Sequence, residues 1–199
     1  MTKKSPYFVH ESAYVHDDAE IGDGTSIWHF THIRERVRIG ENCNIGQNVY
    51  IAPGVVIGNG VKIQNNVSIY EGVTIEDYVF VGPSAVFTNI KIPRSAFPRR
   101  DQYVSTLVKR GATIGANATV VCGGTLGEGC FIAAGAVVTG DIPPYALMVG
   151  TRAERTGWRC ECGEAIAFDE AAGAGACAAC GRRYHKESNR VTPIIERED

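Results

Sequence analysis

Four cysteines near the C-terminus have the spacing of a metal site. They form two pairs, Cys160-x-Cys162-Gly and Cys177-x-x-Cys180-Gly, which frame an alanine- and glycine-rich loop. Two thiolate pairs, each followed by a glycine that permits a tight turn, are typical of a structural zinc knuckle with four cysteine ligands. Four ligands leave no open coordination position, so a structural Zn²⁺ is favoured over a catalytic one. The alternatives are four reduced surface thiols, or His185 in place of one cysteine.

A basic segment at residues 88–113 is the second stretch with distinctive chemistry. Its only acidic residue is Asp101, and its six cations are Lys91, Arg94, Arg99, Arg100, Lys109 and Arg110. Guanidinium groups bind pyrophosphate and carboxylate groups well. The composition therefore predicts a basic arm that grips a pyrophosphate or carboxylate group, with Arg94 contacting substrate. The alternative is a solvated loop.

Neutral hydrogen-bonding side chains recur at intervals of 18 residues. The series comprises Trp28, His29, Gln47, Asn48, Gln64, Asn65 and Asn66, with Arg34 and Tyr70 in a neighbouring series. Amides and rings suit the hydroxyls and the base of a sugar nucleotide, which makes His29, Gln64, Asn65 and Tyr70 candidate substrate contacts. The alternative, strongest for Asn48 and Asn66, is an asparagine ladder that satisfies backbone groups at turns.

The element that positions these residues is a six-residue repeat. Aliphatic residues keep an unbroken spacing of six from Val9 to Val81, Phe87 continues it, and it resumes from Ile114 to Val138. A small or β-branched residue follows each of them by four positions. A period of six fits neither a helix nor a simple strand. It indicates short strands joined by corners, with the aliphatic side chains pointing into a narrow prism.

Three such hexapeptides per coil place residues 18 apart above one another. The glycines and asparagines in IGDG, IGEN, IGQN, IGNG and IGAN are expected to provide the tight or left-handed backbone of the corners. Cys43 and Cys130 fall at the small inward position and are expected in the core. We predict a parallel β-helix over residues 1–150, with a basic loop at 88–113, and a C-terminal extension over 151–199.

Composition excludes several other classes. The chain has 199 residues, 20 Lys+Arg against 22 Asp+Glu, and a net charge of −2, which gives no general attraction to nucleic acid. No apolar run approaches the ~18 residues of a membrane span, and the start lacks the apolar stretch of a signal peptide. Seven cysteines without a secretion signal favour a reducing cytoplasm over a disulfide framework. We expect a cytoplasmic protein without membrane insertion.

Several motifs resemble a known family. The runs IWHFTHI, IGQNVYI, VKIQNNVSIY, VFVGPSAVFTN and GATIGANATVVCG are similar to bacterial hexapeptide-repeat N-acetyltransferases of nucleotide-linked amino sugars. The resemblance covers about residues 9 to 158 and is greatest to enzymes acting on UDP-2-acetamido-3-amino-2,3-dideoxyglucuronate, for surface polysaccharide. It implies a left-handed β-helix, acetyl-CoA as donor, and homotrimers with active sites between subunits.

The resemblance also implies site residues. Asn89, in the FTN motif, corresponds to the residue that positions the reacting amine near the thioester. The later coils, around Gly135, match the groove for the pantetheine arm of CoA, and Arg110 is a further candidate CoA contact. A segment near the CoA nucleotide reads Gly150-Thr151-Arg152 here, where relatives have proline at the position of Arg152.

Three other functions compete with this one. Related enzymes acetylate dTDP-3-amino-3,6-dideoxyhexoses, and the basic arm favours the uronate because a carboxylate needs a cation. A γ-carbonic-anhydrase-like lyase needs three histidines converging on zinc, and the five histidines of this chain lack that spacing. A non-catalytic β-helix for assembly would need neither the basic arm nor the FTN motif.

Overall fold

The computed structural model describes residues 6–98, 101–169 and 172–194. All secondary-structure elements in these ranges are β-strands, which confirms the all-β prediction. These ranges contain no helix long and apolar enough to cross a membrane. Arg99 and Arg100 of the predicted basic arm lie outside the described residues.

Three parallel sheets surround one core. Sheet A contains β1 (Phe8–Val9), β4 (Ser26–Ile27), β7 (Asn44–Ile45), β10 (Lys62–Ile63), β13 (Phe80–Val81), β16 (Thr113–Ile114), β19 (Phe131–Ile132) and β21 (Ala146–Val149). Sheet B contains β2 (Tyr14–Val15), β5 (His32–Ile33), β8 (Tyr50–Ile51), β11 (Ser68–Ile69), β14 (Val86–Phe87), β17 (Thr119–Val121) and β20 (Val137–Thr139). Sheet C contains β3 (Glu20–Ile21), β6 (Arg38–Ile39), β9 (Val56–Ile57), β12 (Val73–Ile75), β15 (Thr106–Val108) and β18 (Thr125–Leu126).

Two further pieces end the described chain. Strand β22 (Glu154–Trp158) pairs antiparallel with β21 and closes the edge of sheet A. A four-stranded antiparallel sheet follows, made of β23 (Ile166–Phe168), β24 (Ala174–Cys177), β25 (Arg183–Glu187) and β26 (Arg190–Pro193). We call the described residues from Arg159 to Ile194 the cysteine module.

The strand register confirms the 18-residue coil. Ile63 pairs with Ile45 on one side and with Val81 on the other, and all three side chains are fully buried. The small positions also point inward, since Cys43, Cys130 and their equivalents are buried, except that Ala13 and Ala19 in the first coil are partly buried. Each coil therefore contributes aliphatic and small side chains to one continuous core, and this burial stabilises the solenoid.

The three corners take their names from the sheets they join. The AB corner holds residues 28–31, 46–49 and 64–67; the BC corner holds 34–37, 52–55 and 70–72; and the CA corner holds 40–43, 58–61, 76–79, 109–112 and 127–130. A positive φ occurs at every sixth residue from Gly24 to Ser84. Glycine or asparagine occupies most of these positions, but Phe30, Arg36 and Tyr78 adopt the same left-handed backbone.

Some inward aliphatic residues are followed directly by a glycine, and this glycine has a different role. A Cβ on Gly58 would lie 2.7 Å from the backbone nitrogen of Asp77 in the next coil, so this position needs glycine for close stacking. The left-handed backbone falls two residues later, at Gly60. The expectation that both glycines serve corner conformation was therefore wrong for the first of them.

We expect Gly58→Ala to lower the free energy of unfolding by about 2 kcal/mol, since the methyl group meets backbone that cannot move aside. The matched control is Gly54→Asn. Gly54 has a φ of 70°, and a Cβ there meets open space, so asparagine should be tolerated. Denaturant unfolding of both variants measures the difference. Equal stability of the two variants would contradict the stacking role.

The basic loop is shorter than predicted. Strand β15 occupies Thr106–Val108 in sheet C, and Val108 is fully buried, so the repeat resumes six residues before Ile114. Val81 pairs with Ile114, a separation of 33 residues instead of 18, which shows that one coil carries an insertion. We call residues 88–105 the excursion; it leaves the solenoid at the BC corner.

Candidate functional site

Most of the predicted amide-lined edge forms one pocket at the AB corner. This pocket has a volume of about 220 Å³ and is lined by Trp28, His29, Asn44, Gly46, Gln47, Gln64 and Asn65. The 18-residue register brings these side chains together from three successive coils. The pocket wall thus combines the indole of Trp28, the imidazole of His29 and several side-chain amides.

Hydrogen bonds already engage part of this edge. The indole Nε1 of Trp28 donates to Oδ1 of Asn44 at 2.7 Å, and the His29 ring stacks on His10 with centroids 3.5 Å apart. Asn65 Oδ1 accepts from the backbone nitrogen of Gln47 at 2.9 Å. The pocket side chains are therefore held in place by contacts along and between the coils.

The adjacent column forms an asparagine ladder between side chains, because Asn48 Nδ2 donates to Asn66 Oδ1 at 3.0 Å, whereas it is Asn65 that accepts from a backbone nitrogen. The two asparagines follow directly on the pocket residues Gln47 and Asn65 and adopt left-handed backbone with φ of 56° and 62°. Their amides bond to each other along the corner and are not among the residues that line the pocket.

The BC corner holds Asn89, Tyr70 and Arg94. Asn89 lies at the neck of the excursion, where its backbone oxygen accepts from the nitrogen of Val104 at 2.9 Å, and its side chain is half-buried. Tyr70 is 39% exposed, and its ring faces Tyr50 at 6.3 Å. Arg94 is exposed within the excursion. These three residues are therefore one sheet away from the AB pocket.

Arg110 lies at the CA corner and not in the excursion. Its guanidinium carbon is 4.9 Å from the centroid of the Tyr78 ring, which gives a cation–π contact. Its backbone nitrogen donates to Glu76 Oε2 at 3.0 Å, and Lys109 Nζ is 2.8 Å from Glu76 Oε1. Lys109 and Arg110 thus belong to a regular coil, and Lys109 is paired with an acid.

Burial opposes ionisation of Glu76, but the hydrogen bonds from Lys109 and from the Arg110 amide outweigh it and hold the pKa of Glu76 below its usual value. We expect Glu76→Gln to cost about 0.5 kcal/mol of stability at pH 7, a small effect because both charged groups are more than one-third exposed. Because the pKa of Glu76 is lower in the folded than in the unfolded protein, its ionised form stabilises the fold at pH values above the unfolded-state pKa. This stabilisation is lost as the pH falls through the folded-state pKa. The gap between variant and wild type should therefore close in acid, as measured by thermal unfolding. A gap that is constant from neutral to acid pH would contradict the ion pair.

Two predicted CoA contacts lie near the C-terminal end of the solenoid. Gly135 has a φ of 70°, and a Cβ there would meet nothing within 4 Å, so its backbone conformation alone accounts for the glycine. Arg152 is exposed in the turn between β21 and β22, with a φ of 71°.

No single corner unites the predicted site within the described chain. His29, Gln64 and Asn65 are at the AB corner, Asn89, Tyr70 and Arg94 at or beyond the BC corner, and Arg110 at the CA corner. The solenoid core lies between the corners. These residues therefore do not form one site within a single copy of the chain.

The four cysteines of the module come together as predicted. The sulfurs of Cys160, Cys162, Cys177 and Cys180 all lie within 4.8 Å of one another, and no other group of three or more metal-binding side chains occurs in the described ranges. The Sγ atoms of Cys160 and Cys180 are 3.4 Å apart, as are those of Cys162 and Cys177. His185 is not part of this cluster.

Polar side chains contact two of the four sulfurs. The backbone nitrogen and the guanidinium of Arg182 lower the pKa of Cys180 to about 6, with Arg182 Nη1 3.6 Å from its sulfur. The Tyr184 hydroxyl donates to Cys160 Sγ at 3.1 Å. Deprotonated sulfur with hydrogen-bond donors behind it is what a divalent metal requires. A third sulfur behaves differently: the backbone hydrogen bond from Glu164 lowers the pKa of Cys162, but contact with the Cys177 thiol and burial outweigh it and raise that pKa to about 12.

Sequence reasoning missed two features. Lys91 reaches back from the excursion, so that its Nζ would lie 3.2 Å from a Cβ on Gly123. A cleft of about 350 Å³ lies between solenoid and cysteine module, lined among others by Tyr78, Arg110, Glu128 and Glu161. The charge of Lys91 was visible in the sequence, but the meeting of Glu128 with Glu161 depends on how the module docks.

Family models match the repeats. The bacterial transferase hexapeptide model of six repeats matches residues 18–53 and 54–89, and the hexapeptide repeat of succinyl-transferase matches 36–71 and 110–140. Over 95 residues the chain is 42% identical to dTDP-3-amino-3,6-dideoxy-alpha-D-galactopyranose 3-N-acetyltransferase of Aneurinibacillus thermoaerophilus, a match that covers 48% of each protein. The chain thus spans about half the length of this curated relative.

Solved structures share the fold. A hexapeptide-repeat acetyltransferase of Vibrio cholerae, complexed with acetyl coenzyme A, has a TM-score of 0.52 and 26% identity over 58% of this chain and 67% of that one. The acetyltransferase domain of PglB from Neisseria gonorrhoeae, also solved with acetyl coenzyme A, has a TM-score of 0.50 and 20% identity over 75% of this chain and 57% of that one. The two repeat models together match residues 18–89 and 110–140, so this part of the chain is built from hexapeptide repeats like those of bacterial transferases.

Proposed function

We propose that the chain is an N-acetyltransferase that moves acetyl from acetyl-CoA to the 3-amino group of a nucleotide-linked sugar. The observation that carries this proposal is the 42% identity to an enzyme whose name specifies a dTDP-3-amino sugar. The amide-lined AB pocket supports it, since neutral donors and acceptors suit sugar hydroxyls and a base. The likeness to the Vibrio cholerae enzyme with bound acetyl coenzyme A supports the donor.

The reaction needs positioning more than acid–base chemistry. The sugar amine attacks the thioester carbonyl, a C–N bond forms, the C–S bond breaks, and the departing CoA sulfur takes up the proton. Because a neutral amine is already nucleophilic, no covalent enzyme intermediate is required. Asn89, half-buried at the neck of the excursion, would orient the amine, and the resulting effective concentration would supply most of the rate.

We propose a homotrimer of left-handed β-helices with sites between subunits. The AB corner of one copy would meet the BC corner of the next, which would bring His29, Gln64 and Asn65 towards Asn89 and Tyr70. Exposed apolar side chains on the sheets, such as Tyr14 (55%) and Val86 (48%) on sheet B, are the kind of surface that a second copy covers.

Subunit mixing tests this arrangement. His29→Ala and Asn89→Ala trimers should each have little activity, and trimers re-formed from a mixture should recover part of it, since some interfaces then combine an intact His29 with an intact Asn89. Light scattering establishes the oligomeric state in parallel. Failure of mixed trimers to recover activity would place both residues in the same subunit's site.

Two sugars are candidates for the acceptor. The relative from Aneurinibacillus thermoaerophilus favours a dTDP-3-amino-3,6-dideoxyhexose. The basic excursion, with Lys91 and exposed Arg94, favours a UDP-linked 3-amino uronate, whose carboxylate pairs with a cation. The rate of CoA thiol release from acetyl-CoA is measured with each sugar nucleotide in turn. The ratio of the two kcat/KM values shows which acceptor is preferred. If no nucleotide-linked amino sugar gives thiol release, the proposed acetyltransferase activity is refuted.

The cysteine module would hold one structural Zn²⁺. A tetrahedral zinc centre with four sulfur ligands and bonds of about 2.3 Å places its sulfurs about 3.8 Å apart, close to the cluster in this structure. Cys160, Cys162, Cys177 and Cys180 would supply all four ligands, so the metal would cross-link the module and leave no position for substrate. Thiol ligands require a reducing compartment, which supports the cytoplasm as the location.

A further inference from the structure

The cysteine module and the last coil of the solenoid share a packed boundary. Strand β22 pairs with β21, and Arg159 beyond it donates its backbone nitrogen to the oxygen of Tyr145 at 2.7 Å. Trp158 is buried opposite Ala146 in the same ladder. The module is thus built onto the end of sheet A.

Tyr184 connects this boundary to the cysteine cluster. Its side chain is fully buried; its hydroxyl donates to Cys160 Sγ at 3.1 Å and accepts from the backbone nitrogen of Glu161 at 3.2 Å. Its ring meets the ring of Tyr145 edge-on, with centroids 5.3 Å apart. One side chain therefore contacts both a predicted metal ligand and the solenoid.

Tyr145 carries the contact onward to the CA corner. Its ring covers Gly129 so closely that a Cβ there would lie 2.7 Å from it, and the Gly129 nitrogen donates to the oxygen of Arg110 at 2.9 Å. The hydroxyl of Tyr145 is buried and has no hydrogen-bond partner within the described chain. The Tyr145 side chain is therefore positioned by packing alone, and the Tyr184 ring is one of the groups that pack against it.

We propose that Tyr184 is a positioning residue that couples the metal-loaded cysteine cluster to the CA corner carrying Arg110. This inference rests on the metal site proposed above. Metal at the four sulfurs fixes Cys160 as a thiolate, and the Tyr184 hydroxyl then makes a charge-assisted hydrogen bond to it. The Tyr184 ring is thereby held against Tyr145, and Tyr145 against the coil of Gly129 and Arg110. Loss of the metal releases this sequence of contacts.

The first test uses Tyr184→Phe in the full chain, with Tyr145→Phe as the matched control. Removing the Tyr184 hydroxyl should weaken Zn²⁺ affinity about tenfold, measured by competition with a chromophoric chelator. It should also shift the sulfur-to-metal charge-transfer band of the Co²⁺-loaded protein. Tyr145→Phe removes a hydroxyl that lacks a partner in the described chain and should leave both measurements unchanged. Wild-type affinity and spectrum in Tyr184→Phe would overturn the proposal.

The second test measures the coupling by hydrogen exchange of single amides. Stripping the metal should speed exchange at Gly129 and leave Gly54 unaffected. Gly54 is a glycine with positive φ at the BC corner, several coils away, and its nitrogen donates to Glu35 oxygen at 3.1 Å. Unchanged exchange at Gly129 in protein shown to lose one metal ion per chain would refute the coupling. Wild-type protein that binds no metal would instead refute the metal site itself.

Discussion

Replacing Asn89 by alanine is expected to lower the turnover number for acetyl transfer by about 100-fold, because the reacting amine is no longer held in line with the thioester. The fold should persist. The backbone hydrogen bond from Val104 to the Asn89 oxygen does not involve the side chain, which is only half-buried. Steady-state kinetics by thiol release and thermal unfolding measure the two effects.

The matched control is Asn189→Ala. Asn189 is an exposed asparagine in the turn between β25 and β26 of the cysteine module, outside the excursion, so its loss should leave turnover unchanged. Similar turnover in Asn89→Ala and wild type would remove Asn89 from the site. A large fall in unfolding temperature would instead assign it the role of an ordinary turn residue.

Changing Cys177 and Cys180 together to serine is expected to abolish metal binding and to unfold the cysteine module. The module has only four short strands, and a sheet of that size rarely buries enough apolar surface to be stable without a cross-link. In small metal-bound modules the binding free energy is largely the folding free energy. Metal analysis should fall from about one Zn²⁺ per chain to none, and protease should cut within the module.

Cys122→Ser controls for the loss of a thiol as such. Cys122 is buried in the solenoid and is not a member of the cluster, so this variant should keep its metal and a protected module. A double variant without metal whose module resists protease like the wild type would show that the sheet is stable by itself.

The repeat illustrates what a sequence can predict. A spacing of six forces each aliphatic residue from Val9 to Val81 to the same side, and the register of Ile63 with Ile45 and Val81 follows directly. The columns of residues at 18-residue intervals, including those that line the AB pocket, follow from the stacking of successive coils alone. The cysteine cluster was equally predictable, because two close pairs of thiols are the typical ligand spacing of a structural metal site.

Corner conformation was predicted only in part. Glycine and asparagine signal left-handed backbone, but Phe30, Arg36 and Tyr78 adopt it too, although it costs an ordinary residue roughly 1 kcal/mol or more. The coil imposes this conformation, since the Tyr78 nitrogen must reach the oxygen of Asn59 in the preceding coil, at 2.8 Å. Periodicity, not residue type, identifies these positions.

The sequence alone determined the solenoid, its 18-residue columns and the grouping of the four cysteines, because each depends on local spacing or on a strict period. Tertiary structure decided that the excursion ends before Thr106, that Arg110 belongs to the CA corner, and that Tyr184 joins Cys160 to Tyr145. These contacts join residues whose spacing in the sequence does not follow the six-residue repeat. They depend on how the excursion and the cysteine module pack against the solenoid. The conformational preferences of single residues carry no information about such long-range packing.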